Sequence, residues 1–178
     1  MPLYVGRYEK TGIPLLQKGD IIVVDGQYYG IESVEDLRYQ YTTSTISAGA
    51  SAVEDMRDLQ PSNDEIYLIE QLINTTADSG IELQYPRGRT RGTPHGLSNP
   101  ITSTMTPMSN TLIQPYVLSI WIKPGTYPSL YAVNTGSSAQ AITAWFFGWK
   151  FKVQPVTEED VRAARAFGKT VYEVNTVY

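Results

Sequence analysis

The clearest hydrophobic pattern in the chain is a long alternation over residues 139–153. Its odd positions form an aromatic stripe that contains Trp145, Phe147, Trp149 and Phe151. Its even positions change from apolar to basic and end with Lys150 and Lys152. A period of two predicts a β-strand, and we expect its odd face to form core. The change along the even face predicts that only one end of the strand is covered on both sides.

A β-hairpin is predicted near the N-terminus. Two β-favouring runs, Ile21–Val24 and Tyr28–Ile31, flank the dipeptide Asp25-Gly26. Because Asp-Gly tolerates the two positive φ angles of a type I′ turn, this pattern is a strong hairpin signal.

Three further segments predict strands: 65–76, 116–122 and 129–133. The first is ambiguous, since Ile66, Ile69 and Ile73 would also line one side of a helix. Its β-branched content and the turn that follows it favour a strand, which we expect to pair with residues 81–85. Pro124-Gly125 predicts a type II turn after the second segment.

One helix is predicted near the C-terminus, after Thr157 as the capping residue. Acidic residues at 158–160 suit its first turn, Val156 and Val161 form a hydrophobic staple, and Gly168 ends it.

Three further segments have weaker patterns. Residues 170–178 alternate as a final strand. Residues 51–59 are expected to form a short helix or part of a long loop, and residues 86–111 a long connection.

Together these elements predict an all-β fold, an antiparallel two-sheet sandwich of about eight strands with one short C-terminal helix. A jelly roll is the arrangement we expect. A length of 178 residues fits one domain. We predict an N-terminal arm over residues 1–19, where glycine and proline interrupt any long element, and a single sandwich domain over residues 20–178.

Composition excludes several kinds of site. The chain has no cysteine and one histidine, His95, which excludes disulfides, thiolate metal sites, cysteine nucleophiles and sites with two histidines. We expect His95 to be an exposed loop residue, and no glycine loop for phosphate or EF-hand loop for calcium is present. No apolar run could span a bilayer and no secretory signal begins the chain, so we expect a soluble protein made in the cytoplasm.

Acidic clusters leave one catalytic alternative open. They occur at 35–36, 54–58, 64–65 and 158–160. A glycosidase needs two carboxyl groups about 5–10 Å apart in unlike environments, and two of these clusters could supply them. We expect each cluster to lie at a loop or a helix start, however, where acidic residues occur without catalysis. We therefore predict that the chain is not an enzyme and has no cofactor and no small-molecule substrate, and we assign no residue to a metal site.

Charge is unevenly distributed, although the net charge is only −4. The segment between Glu82 and Glu158 has no acidic residue, and its basic residues are Arg87, Arg89, Arg91, Lys123, Lys150 and Lys152. Such asymmetry can bring subunits together, or it can be a chance segregation along a chain that folds back on itself. The arginines at 87, 89 and 91 favour contacts between subunits, or a solvated loop, over nucleic acid, because interleaved aromatic residues are missing.

Aromatic residues raise a carbohydrate-binding alternative. Trp121 shares its strand face with Ser119, and we expect it to be exposed and able to stack on a sugar or to lie in a subunit interface. The candidate contact residues are therefore Arg87, Arg89, Arg91, Trp121, Lys150 and Lys152.

The sequence resembles the single-jelly-roll major capsid proteins of tailless, membrane-containing icosahedral viruses, especially the smaller capsid proteins of thermophile phages. The resemblance lies in residues 66–76, the turn at 123–125 and the Trp-Phe-Phe-Gly-Trp run within 141–153. It implies a structural protein of the virion that assembles into capsomers with copies of itself and a second capsid protein, over an internal membrane. It also implies no catalysis and no cofactor, with the arm and the 86–111 loop holding neighbours. The alternative is a carbohydrate- or receptor-binding sandwich of the phage adhesion type.

Overall fold

The computed structural model describes residues 15–85, 101–103 and 116–174. The strands in this part of the chain are β1 (Ile21–Val24), β2 (Gln27–Thr42), β3 (Ser51–Asp55), β4 (Glu65–Asn74), β5 (Ser79–Gln84), β6 (Ile101–Ser103), β7 (Tyr116–Ile122), β8 (Ser129–Asn134), β9 (Thr143–Pro155) and β10 (Val171–Glu173). A single 3-10 turn spans Arg57–Leu59, and the helix α1 spans Glu158–Ala166.

The strands form two sheets. One has six strands in the order β10-β1-β2-β9-β4-β7, and the other has four in the order β3-β8-β5-β6. Every described pairing is antiparallel except that of β1 with β10, which is parallel. The predicted all-β, two-sheet sandwich with one short C-terminal helix is confirmed.

The eight strands from β2 to β9 pair in a nested order. β2 pairs with β9 and β3 with β8, while β4 pairs with β7 and β5 with β6. The first strand of this set therefore lies beside the last, and the second beside the one before the last. Successive strands from β2 onward alternate between the two sheets until β5 and β6, which share one.

The predicted turns are confirmed. Asp25 and Gly26 have φ angles of 51° and 77°, as a type I′ turn requires, and they join β1 to β2. Gly125 has a φ angle of 71°, and the Thr126 N–H donates to the Lys123 carbonyl at 3.2 Å. Both turns are fixed by residues that accept positive φ, which is why the local sequence was sufficient.

The helix also follows its local signals. The Thr157 side chain accepts from the Asp160 N–H, and the Asp160 carboxylate accepts from the Thr157 N–H, which forms a capping box. Val156 and Val161 pack in one cluster against β1, and Gly168 has a φ angle of 72° just after the helix. The chain then forms β10, whereas residues 175–178 of the predicted final strand lie outside the described residues.

Three predictions about connections and pairing are wrong. Residues 51–55 form a strand at the edge of the four-stranded sheet, followed by the 3-10 turn, so the segment 51–59 is neither a helix nor a long loop. β4 does not pair with β5, because the turn between them carries the chain from one sheet to the other. Part of the expected 86–111 connection is β6, which pairs with β5. Long-range pairing decided each case, and local pattern does not contain it.

The main core lies between the sheets and uses the even face of β9, contrary to our expectation. Ala144 and Phe146 are fully buried there with Leu37, Leu72 and Leu83. The odd residues Phe151 and Val153 are also buried, but in a second apolar cluster on the opposite face of the six-stranded sheet. Both faces of β9 are apolar, and therefore alternation alone does not tell which face meets the second sheet.

The second cluster exists because the six-stranded sheet curls. Trp121 on β7 and Tyr172 on β10 belong to opposite edge strands, yet their ring centroids are 5.6 Å apart. The enclosed side chains come from most strands of this sheet and from the segment before it: Leu16, Ile22, Val24, Ile31, Ile66, Leu68, Trp121, Phe151, Val153 and Val174.

The end of the predicted arm is part of this packing. Leu16 is buried in the second cluster, and the Gly19 N–H donates to the Ile31 carbonyl at 2.9 Å. Residues 1–14 of the predicted arm lie outside the described residues.

Candidate interaction surfaces

Half of the predicted contact residues lie outside the described part of the chain. These are Arg87, Arg89 and Arg91, and His95 lies outside it as well. Their predicted roles stay predictions, and the sites built below use the other candidates, Trp121, Lys150 and Lys152.

Trp121 is buried, so the expectation that it is exposed is wrong. Only 5% of its surface is accessible, and its ring stacks on Phe151 with centroids 5.6 Å apart. The sheet curls over the face of β7 that carries Trp121, and the opposite edge strand β10 covers it. A ring in this position packs the second apolar cluster and presents no flat face to a sugar in solution.

Lys150 and Lys152 lie where the even face of β9 extends past the main core. Lys150 lies opposite Glu35 on β2 and opposite Tyr67 on β4, and Lys152 lies opposite Glu65. The Lys150 Nζ atom is 5.5 Å from the centroid of the Tyr67 ring. Each lysine therefore has a carboxylate of the same chain on a neighbouring strand.

The charge asymmetry along the sequence is thus partly neutralised within the fold. Lys123 forms an ion pair with Asp25 across the curled sheet. With Lys150 beside Glu35 and Lys152 beside Glu65, three basic residues of the acid-free segment face acids from the rest of the chain. These contacts agree with the interpretation that the chain folds back on itself.

Glu65 and Tyr67 form a hydrogen-bonded pair at this end of the sheet. The Tyr67 hydroxyl donates to Glu65 Oε2 at 2.9 Å, and Ser62 donates to the same oxygen. Burial, together with this hydrogen bond, raises the pKa of Tyr67 to about 12. Burial opposes ionisation of Glu65, but the hydrogen bonds from Ser62 and Tyr67 outweigh it and leave the pKa of Glu65 below its ordinary value.

A second polar cluster, which the sequence did not indicate, links β2 to β3. The Tyr41 hydroxyl donates to Glu54 Oε2 at 2.7 Å, and the Ser44 N–H donates to Glu54 Oε1 at 2.9 Å. Burial, followed by the hydrogen bond to Glu54, raises the pKa of Tyr41 well above its ordinary value. Because β2 and β3 belong to different sheets, this cluster fastens one side of the sandwich. The sequence placed Glu54 in an acidic cluster, but nothing in the local pattern paired that cluster with Tyr41.

The acidic clusters that left a glycosidase open have structural partners where the chain is described. Glu54 accepts from Tyr41 and Ser44, Glu65 accepts from Ser62 and Tyr67, and Asp160 caps α1. Each of these carboxylates thus accepts hydrogen bonds that stabilise a turn, a helix cap or a contact between strands.

One edge of β2 is open over a long stretch in the described sheets. β1 covers only Gln27–Gly30, so from residue 33 to residue 42 β2 pairs with β9 alone among the described strands. The side chains on this edge are mostly exposed or half-buried, apart from Leu37. A long strand edge of this kind presents N–H and C=O groups that another strand can pair with.

The described residues contain neither a candidate membrane helix nor a candidate metal cluster. No helix in residues 15–85, 101–103 and 116–174 is long and apolar enough to cross a bilayer. Over the same ranges, no group of three or more His, Asp or Glu residues is arranged to hold a metal ion.

Comparison of the sequence with models of protein families finds no match, and neither does comparison with curated proteins.

Proposed function

We propose that this protein is a structural subunit of a viral capsid and that its sandwich is a jelly roll. The nested pairing of β2 to β9 carries the proposal, since it is the order obtained when a long antiparallel ribbon is folded over into two sheets of four. Double-sheet jelly rolls of eight strands recur in capsid proteins, lectins and cupins. The missing second histidine disfavours the metal-binding cupins in this set.

The contacts of the described surface favour a building block over a ligand-binding module. The chain carries little charge. Among the described strands, residues 33–42 of β2 form a long open edge, and side chains from Leu16 to Val174 pack inside the curled sheet. Charged residues are depleted in the cores of protein interfaces, and an open strand edge is a place where another chain can pair. In this proposal the protein binds copies of itself and a second capsid protein in the virion and contacts an internal membrane, while nucleic acid is not a partner.

The carbohydrate- or receptor-binding alternative has lost its main candidate residue. It depended on an exposed Trp121, whose ring is buried between Phe151 and Tyr172. Glycan-array binding by the intact protein would revive this alternative, provided that it survives substitution of Trp121.

Electron microscopy of the purified full-length chain tests the capsid proposal. We expect rings, sheets or closed shells at high protein concentration, alone or after addition of a second capsid protein from the same virus. Deletion of residues 1–14 is a matched variant, because it removes most of the arm and retains the buried Leu16. Isolated monomers at every concentration and with every such partner, with or without residues 1–14, would overturn the proposal.

A further inference from the structure

The open edge of β2 has a defined set of outward-facing backbone groups. The Thr43 N–H donates to the carbonyl of Ile142, the residue just before β9, and the pairing register is unbroken from Ser33 to Thr42. In an antiparallel ladder, successive residues point their N–H and C=O groups alternately to the two sides. The backbone groups of Asp36, Arg38 and Gln40 therefore point away from β9, toward the open side.

The side chains along this edge are complementary to a second copy of the same strand. Two antiparallel copies of β2 that meet about Leu37 place Asp36 of each chain opposite Arg38 of the other. Within one chain, the Arg38 Nη2 and Asp36 Oδ2 atoms lie 3.6 Å apart on one face of the strand, and the two side chains are 64% and 52% exposed. The pairing would join two such pairs into a network of four alternating charges.

The same charges disfavour the neighbouring registers. Pairing about Asp36 would place the two Asp36 carboxylates opposite each other, and pairing about Arg38 would do the same to the two guanidinium groups. Like charges directly opposite each other destabilise a sheet. The arrangement about Leu37 also matches the outward-facing groups of Asp36 with those of Arg38 in the second copy, as an antiparallel ladder needs.

Contacts within the chain fix the position of the β2 edge. β9 supports it along its full length on one side, and the Tyr41–Glu54 hydrogen bond ties its end to β3. The stretch from Glu32 to Thr42 would extend about 35 Å. The new ladder would stop near Ile31, because the Ile31 carbonyl already accepts a hydrogen bond from the Gly19 N–H.

We propose that two copies of this chain form a symmetric dimer by antiparallel pairing of β2 about Leu37, which joins their six-stranded sheets. The two-fold symmetry makes the contact self-complementary and closed. The dimer goes beyond the proposed capsid role and does not require it.

Charge reversal tests both the dimer and its register. Sedimentation equilibrium of the full-length chain is expected to show a monomer–dimer equilibrium for the wild type. Arg38→Asp and Asp36→Arg should each raise the dimer dissociation constant at least about tenfold, because two symmetric attractions become repulsions. An equal mixture of the two variants should form a heterodimer, since one chain would then be acidic at both positions and the other basic at both.

Arg162→Asp is the matched control, because its side chain is 79% exposed and it lies on α1, which packs against β1 through Val161. It should leave the dissociation constant unchanged. Circular dichroism of each variant establishes that it is folded. A wild type that stays monomeric, a dimer that tolerates both reversals, or a mixture that does not recover dimers would each overturn the proposal.

Hydrogen exchange supplies a second measurement that does not depend on the variants. The amides of Asp36 and Arg38 should become protected as protein concentration rises, while that of Tyr39, which faces β9, should be protected throughout. Exchange of Asp36 and Arg38 that is independent of concentration in a dimeric sample would overturn the proposed contact. Capsid-like shells without this protection would refute the dimer alone, and the dimer without shells would refute only the capsid role.

Discussion

Trp121 and Tyr172 stand on opposite edge strands of one six-stranded sheet, and their rings are in contact with centroids 5.6 Å apart. In a flat sheet, strands spaced by about 4.8 Å would place the first and the sixth about 24 Å apart. The contact therefore measures how far the sheet has curled. The ion pair between Lys123 and Asp25 links the same two sides.

Removal of the Trp121 ring should open this curl. Trp121→Ala is expected to reduce the free energy of unfolding by about 3–5 kcal/mol, because a large buried aromatic side chain leaves a cavity in the second cluster. Trp121→Phe should cost much less, since it retains an aromatic contact with Phe151. Urea unfolding followed by circular dichroism measures both. Equal losses for the two variants would show that ring contact is not the source of the stability.

Gly148 is required by the close approach of β4. A Cβ atom added to it would lie 1.7 Å from the Leu68 carbonyl oxygen, next to the register shift between Ile69 and Gln71. Because the obstacle is backbone, it cannot rotate away. Gly148→Ala should cost about 3–5 kcal/mol of unfolding free energy or prevent folding.

A matched control for this position is Ala144→Gly, which also changes one methyl group on β9 but creates no clash. It is expected to cost about 1–2 kcal/mol through lost burial and added backbone freedom. Urea unfolding of both variants measures the difference. A Gly148→Ala protein as stable as the wild type would contradict the close approach of the two strands.

Asn134 is a fully buried junction between the loops at one end of the sandwich. Its Nδ2 group donates to the carbonyls of Ile46 and Ser138, and its Oδ1 atom accepts from the Gly136 N–H and the Gln140 side chain. Asn134→Asp replaces both donors with an oxygen that faces carbonyl oxygens.

We expect Asn134→Asp to cost about 3 kcal/mol of unfolding free energy, because it leaves buried acceptors unpaired and introduces a charge. Ser137→Ala, an exposed change in the same loop, serves as the control and should have little effect. Chemical denaturation of the two variants compares them. The prediction fails if Asn134→Asp unfolds at the same urea concentration as Ser137→Ala.

Tyr67 predicts a loss of stability in alkali. Burial and the hydrogen bond to Glu65 raise its pKa from 10.0 to about 12, so the fold favours the neutral phenol. This contribution is fully present below pH 10, where Tyr67 is neutral in both states, and it is lost as the pH rises from 10 to about 12. Stability of Tyr67→Phe should fall less steeply over that range.

Unfolding free energies at successive pH values from about 9 to about 11.5 measure this slope. Glu65→Gln is the informative second variant, because it retains the Tyr67 ring and removes the neighbouring charge. Its slope should lie between those of the wild type and Tyr67→Phe. Identical slopes for all three proteins would exclude Tyr67 as the titrating group.

Local sequence was sufficient wherever a few adjacent residues fix the backbone. Asp25-Gly26 predicted its turn because few dipeptides tolerate two positive φ angles, and Thr157 predicted the helix start because it bonds to Asp160 within the same turn. The strand character of β4, β7, β8 and β9 followed from alternation and β-branched content.

The sequence by itself therefore determined the strand-rich class, the turns and the capped helix. The tertiary structure alone decided which face of β9 meets the second sheet, which strand pairs with β4, and that Trp121 is buried. It also decided that, among the described strands, only β9 pairs with residues 33–42 of β2. The physical reason is that these outcomes depend on contacts between residues far apart in the chain, and a strand with apolar side chains on both faces is compatible with more than one set of neighbours.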